Sequence, residues 1–195
     1  MAADRDEPGS SSTSDSHPDA PEPPEPPPAD DRSSTPTIEL SSALPELAPV
    51  PDIDWLRDQV VRICDAIHAP VHAIGVQLVD DGAMTELHRE HCDLDSTTDV
   101  LTFPMSGPDE PIDVEIAICV DEAHRQAADR GHTVEQELLL YVLHGLLHVA
   151  GHDDHDEAAY QRMHAEEDRI LNALGIGATF DRPPTGTARG GEATS

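Results

Sequence analysis

Residues 134–155 read VEQELLLYVLHGLLHVAGHDDH, and this stretch decides the fold. Beyond its polar opening the segment is almost wholly apolar, and a helix that is apolar on every side is buried in the middle of a domain. Thr133 followed by Gln136 is a capping-box pattern, which predicts where the helix begins. Gly151 can end it, because glycine accepts the left-handed backbone of a helix C-terminus. The sequence therefore predicts a central, buried helix.

Two histidines interrupt this apolar run. His144 and His148 are four residues apart, so their imidazoles project from one face of the helix. A single buried histidine is usually a hydrogen-bonded core residue, but two at this spacing can bind one metal ion. Gly151 lets the chain turn back, so the residues that follow can supply a third ligand. Histidine and carboxylate ligands favour zinc.

The segments around this helix predict an α+β fold. Alternating, β-branched stretches predict strands, and apolar residues at helical spacing after aspartate caps predict helices. The predicted strands span residues 71–79, 99–103 and 114–120. Four further helices are predicted. The first is capped by Asp54, the second follows Asp80 and the third is capped by Asp121. The fourth starts at Asp156 and has Tyr160 among its apolar positions. The expected architecture is a single domain with a small mixed sheet and about five helices.

The two ends of the chain have a different composition. Residues 1–50 are acidic and rich in proline, which predicts a disordered tail. The apolar end of this tail, from Ile38 to Val50, could add an edge strand with its first half. Residues 179–195 predict a flexible C-terminal tail. The ordered domain is expected over residues 51–178.

The charge and cysteine content restrict the function. The formal net charge is −29, which repels polyanions at long range, so a nucleic-acid substrate needs a local arginine patch or a partner. Three cysteines without CxxC spacing do not form a disulfide framework. The sequence has neither an apolar run of about 18 residues nor a secretory signal. We therefore expect a cytoplasmic protein that does not associate with membranes.

Two motifs resemble a known family. The histidine pair is similar to the zincin motif HExxH, but Gly145 stands where the peptidases have their glutamate base. The pattern His-Gly-x-x-His-x-x-Gly over residues 144–151 instead resembles the YbeY family. Residues 98–104, TDVLTFP, are similar to the TDVLSFP segment of that family, and residues 115–121 are similar to its following strand. The resemblance covers roughly residues 53–175.

This resemblance implies a zincin-like fold and a single-strand-specific, zinc-dependent endoribonuclease with one zinc ion per chain. It implies a role in 16S rRNA 3′-end maturation and late ribosome quality control. The implied partners are single-stranded RNA, 16S rRNA and the ribosome, with ribosomal proteins or GTPase assembly factors as further candidates and without DNA. The alternatives are a non-catalytic ribosome-assembly factor with a structural zinc, or another zinc hydrolase such as a peptidase.

The resemblance also implies site residues, with two departures. His144 and His148 correspond to metal ligands, and the family's third ligand is a histidine ten residues after the first. That position is Asp154 here, which we favour as the third ligand over His155, one residue further on, and over His152.

The second departure concerns a basic residue that the family often carries before the TDVL segment. Cys92 occupies that position, so Arg89, one helical turn earlier, is the candidate catalytic cation. Asp99 is a candidate general base, although a carboxylate that anchors its loop is an equally good interpretation.

Overall fold

Four strands and five helices are found in residues 35–44 and 51–177, which are the residues that the computed structural model describes. In chain order these elements are β1 (Thr37–Ser42), α1 (Ile53–Ala66), β2 (Val71–Val79), α2 (Asp81–Cys92), β3 (Val100–Pro104), β4 (Ile112–Cys119), α3 (Val120–Arg130), α4 (Val134–Val149) and α5 (Glu157–Ala173). The predicted α+β class, with a small mixed sheet and five helices, is confirmed. The predicted C-terminal tail and most of the N-terminal tail lie outside the described residues.

The sheet is mixed, with strand order β1-β2-β4-β3. β1 and β4 both run parallel to β2, whereas β3 runs antiparallel to β4. β1 is the edge strand that the sequence allowed in the first half of the apolar segment from Ile38 to Val50. Ile38 and Leu40 pack against the main core, which explains why this segment joins the sheet.

The two faces of the sheet carry different helices. On one face of the sheet lie Ile74 of β2, Ile116 of β4 and the buried even-numbered residues next to them on each strand. These side chains form the main hydrophobic core together with α1, α4 and α5. The other face presents Val79, Ala117 and Cys119 to Met84 of α2. Strand side chains alternate between faces, so α2 and α4 lie on opposite sides of the sheet.

Helix α4 is the buried centre of the domain, as predicted. Its capping box is present, with Thr133 Oγ1 accepting from the Gln136 N–H and Gln136 Oε1 accepting from the Thr133 N–H. The helix contacts β3, β4, α1, α3 and α5.

None of the helices in the described part of the chain has the length and hydropathy that a membrane crossing requires.

Three local predictions were wrong. Asp52, and not Asp54, caps α1 by accepting from the Trp55 N–H at 2.9 Å. Helix α3 starts at Val120 without a side-chain cap, because β4 runs directly into it, and Asp121 lies in its first turn. Tyr160 is 44% exposed and is not a core residue of α5.

Candidate metal centre

Three potential ligand atoms converge beside the C-terminal half of α4. The Nε2 atoms of His144 and His148 are 3.1 Å apart. Asp154, in the loop between α4 and α5, places Oδ2 at 3.9 Å from Nε2 of His144 and 3.7 Å from Nε2 of His148. The three side chains thus form one compact donor set.

A tight turn brings Asp154 back towards the helix. Gly151 follows Ala150, the C-cap residue of α4, and has a φ of 93°. The left-handed backbone that the sequence predicted for Gly151 is therefore present. The His152 N–H donates to the Leu147 carbonyl at 2.9 Å, and the Gly151 N–H donates to the His148 carbonyl at 3.0 Å. These two bonds form a Schellman motif, which ends the helix and turns the chain out of the helical path.

The spacing of the donor atoms fits a tetrahedral ion. Ligand atoms about 2.0–2.1 Å from a tetrahedral zinc ion lie about 3.3–3.4 Å from one another. The separations of 3.1, 3.7 and 3.9 Å bracket that value. Small side-chain adjustments are sufficient for all three atoms to contact one cation.

The opposite ring nitrogens support the same conclusion. His144 Nδ1 lies 2.8 Å from Glu167 Oε1, and His148 Nδ1 lies 3.3 Å from the carbonyl oxygen of His152. Both partners are acceptors, so each Nδ1 carries a hydrogen, and in the neutral rings each Nε2 carries a lone pair. Two lone pairs that face each other repel unless a proton or a cation lies between them, which suits a metal site.

The surroundings of His144 are strongly negative. Burial by itself lowers the pKa of His144, but the hydrogen bond to Glu167 and the negative charges of Glu167, Asp99 and Asp154 raise the pKa above its ordinary value. The same carboxylates that favour a protonated imidazole also favour a bound cation.

The donor set opens into a cleft of about 410 Å³ along β3, the outermost strand on that side of the sheet. Its lining consists of the β3 edge and one face of α4: Asp99, Val100, Leu101, Thr102, Pro104, His144, His148 and Val149. Asp99 Oδ1 accepts from the Val100 N–H at 2.9 Å and from the Thr98 hydroxyl at 3.1 Å. A substrate that enters this cleft therefore passes a fixed carboxylate and the histidine pair.

Gly145 explains the departure from HExxH. A β-carbon at this position would lie 2.6 Å from Oγ1 of Thr102 and 3.5 Å from Cδ1 of Ile116. A side chain at this position, glutamate included, would require Thr102 to move. Packing therefore disfavours the catalytic base of zincin peptidases at residue 145.

Comparison with known proteins assigns the family. The family model described as Endoribonuclease YbeY matches residues 52–175. The chain belongs to the YbeY family. The resemblance predicted from the two motifs is thereby confirmed.

Individual YbeY proteins match over most of their own length. Endoribonuclease YbeY of Desulfitobacterium hafniense is 32% identical over 152 residues, which covers 64% of this chain and 97% of that protein. The Micrococcus luteus protein of the same name is 33% identical over 135 residues, covering 63% of this chain and 86% of that protein. The solution structure of TM1509 from Thermotoga maritima has 24% identity and a TM-score of 0.48, and covers 77% of this chain and 99% of that chain.

Of the candidate third ligands, the YbeY domain brings Asp154 to the histidine pair. The side chain of His155 is 84% exposed, and its Nδ1 contacts the carboxylates of Asp153 and, at 3.5 Å, Asp154 rather than the histidine pair. His152 offers its carbonyl oxygen, rather than its ring, to His148. Asp154 is thus the candidate whose side chain lies beside both histidines.

Arg89 does not lie beside the candidate metal centre. It belongs to α2, on the face of the sheet opposite α4, and pairs with Asp95 at 3.5 Å. It is not among the residues that line the cleft. Cys92 ends α2 and is exposed. The helical position of Arg89 was predicted, but the side of the sheet that carries it was not.

Sequence reasoning missed Glu167. This residue of α5 is fully buried and contacts His144 across the helix interface. A signal was present: Glu167 interrupts the apolar stripe that contains Met163, Ile170 and Leu171. A carboxylate in such a stripe requires a buried partner.

Proposed function

We propose that this chain is a zinc-dependent endoribonuclease that cleaves single-stranded RNA, with one zinc ion held by His144, His148 and Asp154. The observation that carries the proposal is the convergence of three ligand atoms beside an open cleft that both histidines line. The relatives that share this domain are named endoribonucleases, which supplies the substrate class.

The number of ligands supports a catalytic role for the metal. Catalytic zinc sites use three protein ligands and keep one position for water or substrate, whereas structural sites use four protein ligands. Bound zinc would acidify a water molecule and polarise a phosphoryl oxygen. Among the described residues, the donor group that contains both histidines of α4 has three members, and His155 belongs to a separate group with Asp153 and Asp154.

Asp99 is the group that we propose as proton acceptor. It lines the cleft with both histidines, and its negative charge acts on His144. The hydrogen bonds from Val100 and Thr98 fix the orientation of its carboxylate. A carboxylate held in this way can accept the proton of the attacking nucleophile.

We propose 16S rRNA 3′-end maturation and late ribosome quality control as the cellular role, in the cytoplasm. A net charge of −29 opposes binding of free RNA, because neutralising phosphates requires cations. We therefore propose that the ribosome, a ribosomal protein or a GTPase assembly factor provides the docking surface, and that the domain supplies the cleavage site.

The experiment compares cleavage of a single-stranded RNA, a duplex RNA and casein by the full-length protein. Each substrate is tested with chelator and after zinc is added back. We expect cleavage of the single strand only, its loss with chelator, its return with zinc, and no cleavage by His144→Ala. Full activity of metal-free His144→Ala would contradict the proposal, and cleavage of casein would favour a peptidase.

A further inference from the structure

Behind the candidate metal centre, a buried carboxylate joins two histidines of different helices. We propose that Glu167 is a positioning residue that fixes the tautomer and orientation of His144, and that His164 holds Glu167 in place. The inference rests on the proposed metal site for its purpose, but its first test uses metal-free protein.

Glu167 is placed where stability alone would select an apolar residue. It is fully buried in α5, between Met163 and Ile170, which are fully buried as well. Burying a charge is costly unless it is paired, and replacing a buried ionic group by a packed apolar residue is often neutral or stabilising. A glutamate here is therefore better explained by what it does to its partners.

Both oxygens of Glu167 have a ring nitrogen as partner. Oε1 lies 2.8 Å from Nδ1 of His144, and Oε2 lies 2.5 Å from Nδ1 of His164. An ionised carboxylate only accepts hydrogen bonds, so both imidazoles donate from Nδ1. This leaves Nε2 of His144 as the lone-pair nitrogen, on the side where Nε2 of His148 lies.

The two histidines of the candidate centre are supported unequally. His148 Nδ1 faces a neutral carbonyl oxygen at 3.3 Å, whereas His144 Nδ1 faces a negative carboxylate at 2.8 Å. Hydrogen bonds to an ionised acceptor are shorter and stronger, and a carboxylate behind a ligating imidazole raises its basicity. His144 is thus the more strongly oriented and more electron-rich of the two.

His164 prevents the carboxylate from turning away. Its side chain is 12% exposed, and its ring packs edge-to-face against Tyr160 with a centroid distance of 4.0 Å. With one oxygen engaged by His164, the other oxygen of Glu167 stays directed at His144. The helix pair α4 and α5 therefore sets the angle of the imidazole.

The test uses Glu167→Leu, which removes both charge and acceptor, and Glu167→Gln, which keeps the shape and one acceptor oxygen. Glu166→Gln is the matched control, because Glu166 pairs with Arg169 and not with the centre. The readouts are ¹⁵N chemical shifts of the ring nitrogens in metal-free protein and the zinc dissociation constant from chelator competition.

At a pH where the imidazole is neutral, we expect His144 to carry its hydrogen on Nδ1 in the wild type and in Glu166→Gln, and on Nε2 in Glu167→Leu. Zinc affinity should fall about 10–100-fold in Glu167→Gln relative to the control. His164→Phe, which keeps a ring against Tyr160, should cause a smaller loss than Glu167→Leu.

An unchanged tautomer in folded Glu167→Leu would overturn the inference. If that variant does not fold, Glu167→Gln decides, and a zinc affinity equal to that of Glu166→Gln overturns the inference. A wild type that shows the Glu167-dependent tautomer but binds no zinc would support the positioning role and contradict the proposed function, so the two failures are distinguishable.

Discussion

The backbone of Gly145 lies so close to Thr102 that a β-carbon at residue 145 would come within 2.6 Å of the threonine hydroxyl oxygen. This contact joins the central helix to the edge strand of the sheet, and both elements line the cleft. Packing against Thr102 thus favours glycine at residue 145, next to the candidate ligand His144.

We expect Gly145→Ala to lower the free energy of unfolding by about 1–3 kcal/mol, because the added methyl group overpacks the interface. Thr102→Ala removes the clashing oxygen, so the double variant should recover part of this loss. Gly82→Ala is the control, since its nearest neighbour, an oxygen of Asp80, is 3.4 Å away. Urea denaturation measures the wild type and the four variants, and Gly145→Ala with wild-type stability would refute the contact.

The third ligand can be tested at one position. Asp154→Ala should weaken zinc binding by more than about 100-fold, because loss of a direct ligand exceeds the 10–100-fold cost of losing a supporting partner. His155→Ala should weaken zinc binding far less, because the His155 side chain is 84% exposed and, within the donor set, contacts only the other oxygen of Asp154, at 3.5 Å. Asp154→His should retain zinc, because imidazole is an equally good ligand. Chelator competition gives the dissociation constants, and the reverse order of the two alanine variants would assign His155 instead.

Asp99→Asn separates the two interpretations of Asp99. Asparagine keeps Oδ1 as an acceptor for the Val100 N–H, so the start of β3 should remain anchored. The charge is lost, and kcat for RNA cleavage should fall about 10²–10⁴-fold if the carboxylate accepts a proton. Zinc content should stay at one ion per chain. Near-normal kcat would identify Asp99 as a structural anchor alone.

Asp81 should contribute acid-sensitive stability. Hydrogen bonds from Arg125 lower the pKa of Asp81 to about 2, and further bonds from Cys119 and Thr97 act in the same direction. A carboxyl whose pKa is depressed by folding stabilises the protein above its unfolded pKa of about 3.9. That contribution is lost as pH falls from about 4 to about 2.

The Asp81–Arg125 pair is partly exposed, so we expect it to contribute no more than about 1 kcal/mol. The difference in unfolding free energy between wild type and Asp81→Asn should be larger at pH 6 than at pH 2. Urea titrations at both values measure it. A difference that is equal at the two pH values would show that the ion pair is not its source.

Sequence patterns were most informative where the structure is determined locally. The capping box of α4, the left-handed Gly151 and the alternation of β2 each depend on residues close in the chain. The pair His144 and His148 follows from helical geometry alone. Local signals were ambiguous where two aspartates competed to cap α1, and misleading where β4 passes into α3 without a loop.

The features that the sequence did not predict depend on how distant segments pack together. No local pattern places Arg89 on one side of the sheet or the other, because that depends on the path of the chain between β2 and β3. Glu167 contacts a residue 23 positions earlier, and only the break in the apolar stripe of α5 pointed to it. The family resemblance supplied the substrate class, which periodicity and spacing do not contain.

The link between α4 and α5 also determines when the site can form during synthesis. His144 leaves the ribosomal exit tunnel before the helix that carries its carboxylate partner, so a nascent or truncated chain that ends before α5 has both imidazoles but lacks the support of Glu167. The centre as described is therefore completed only once α5 has also been synthesised and has packed against α4.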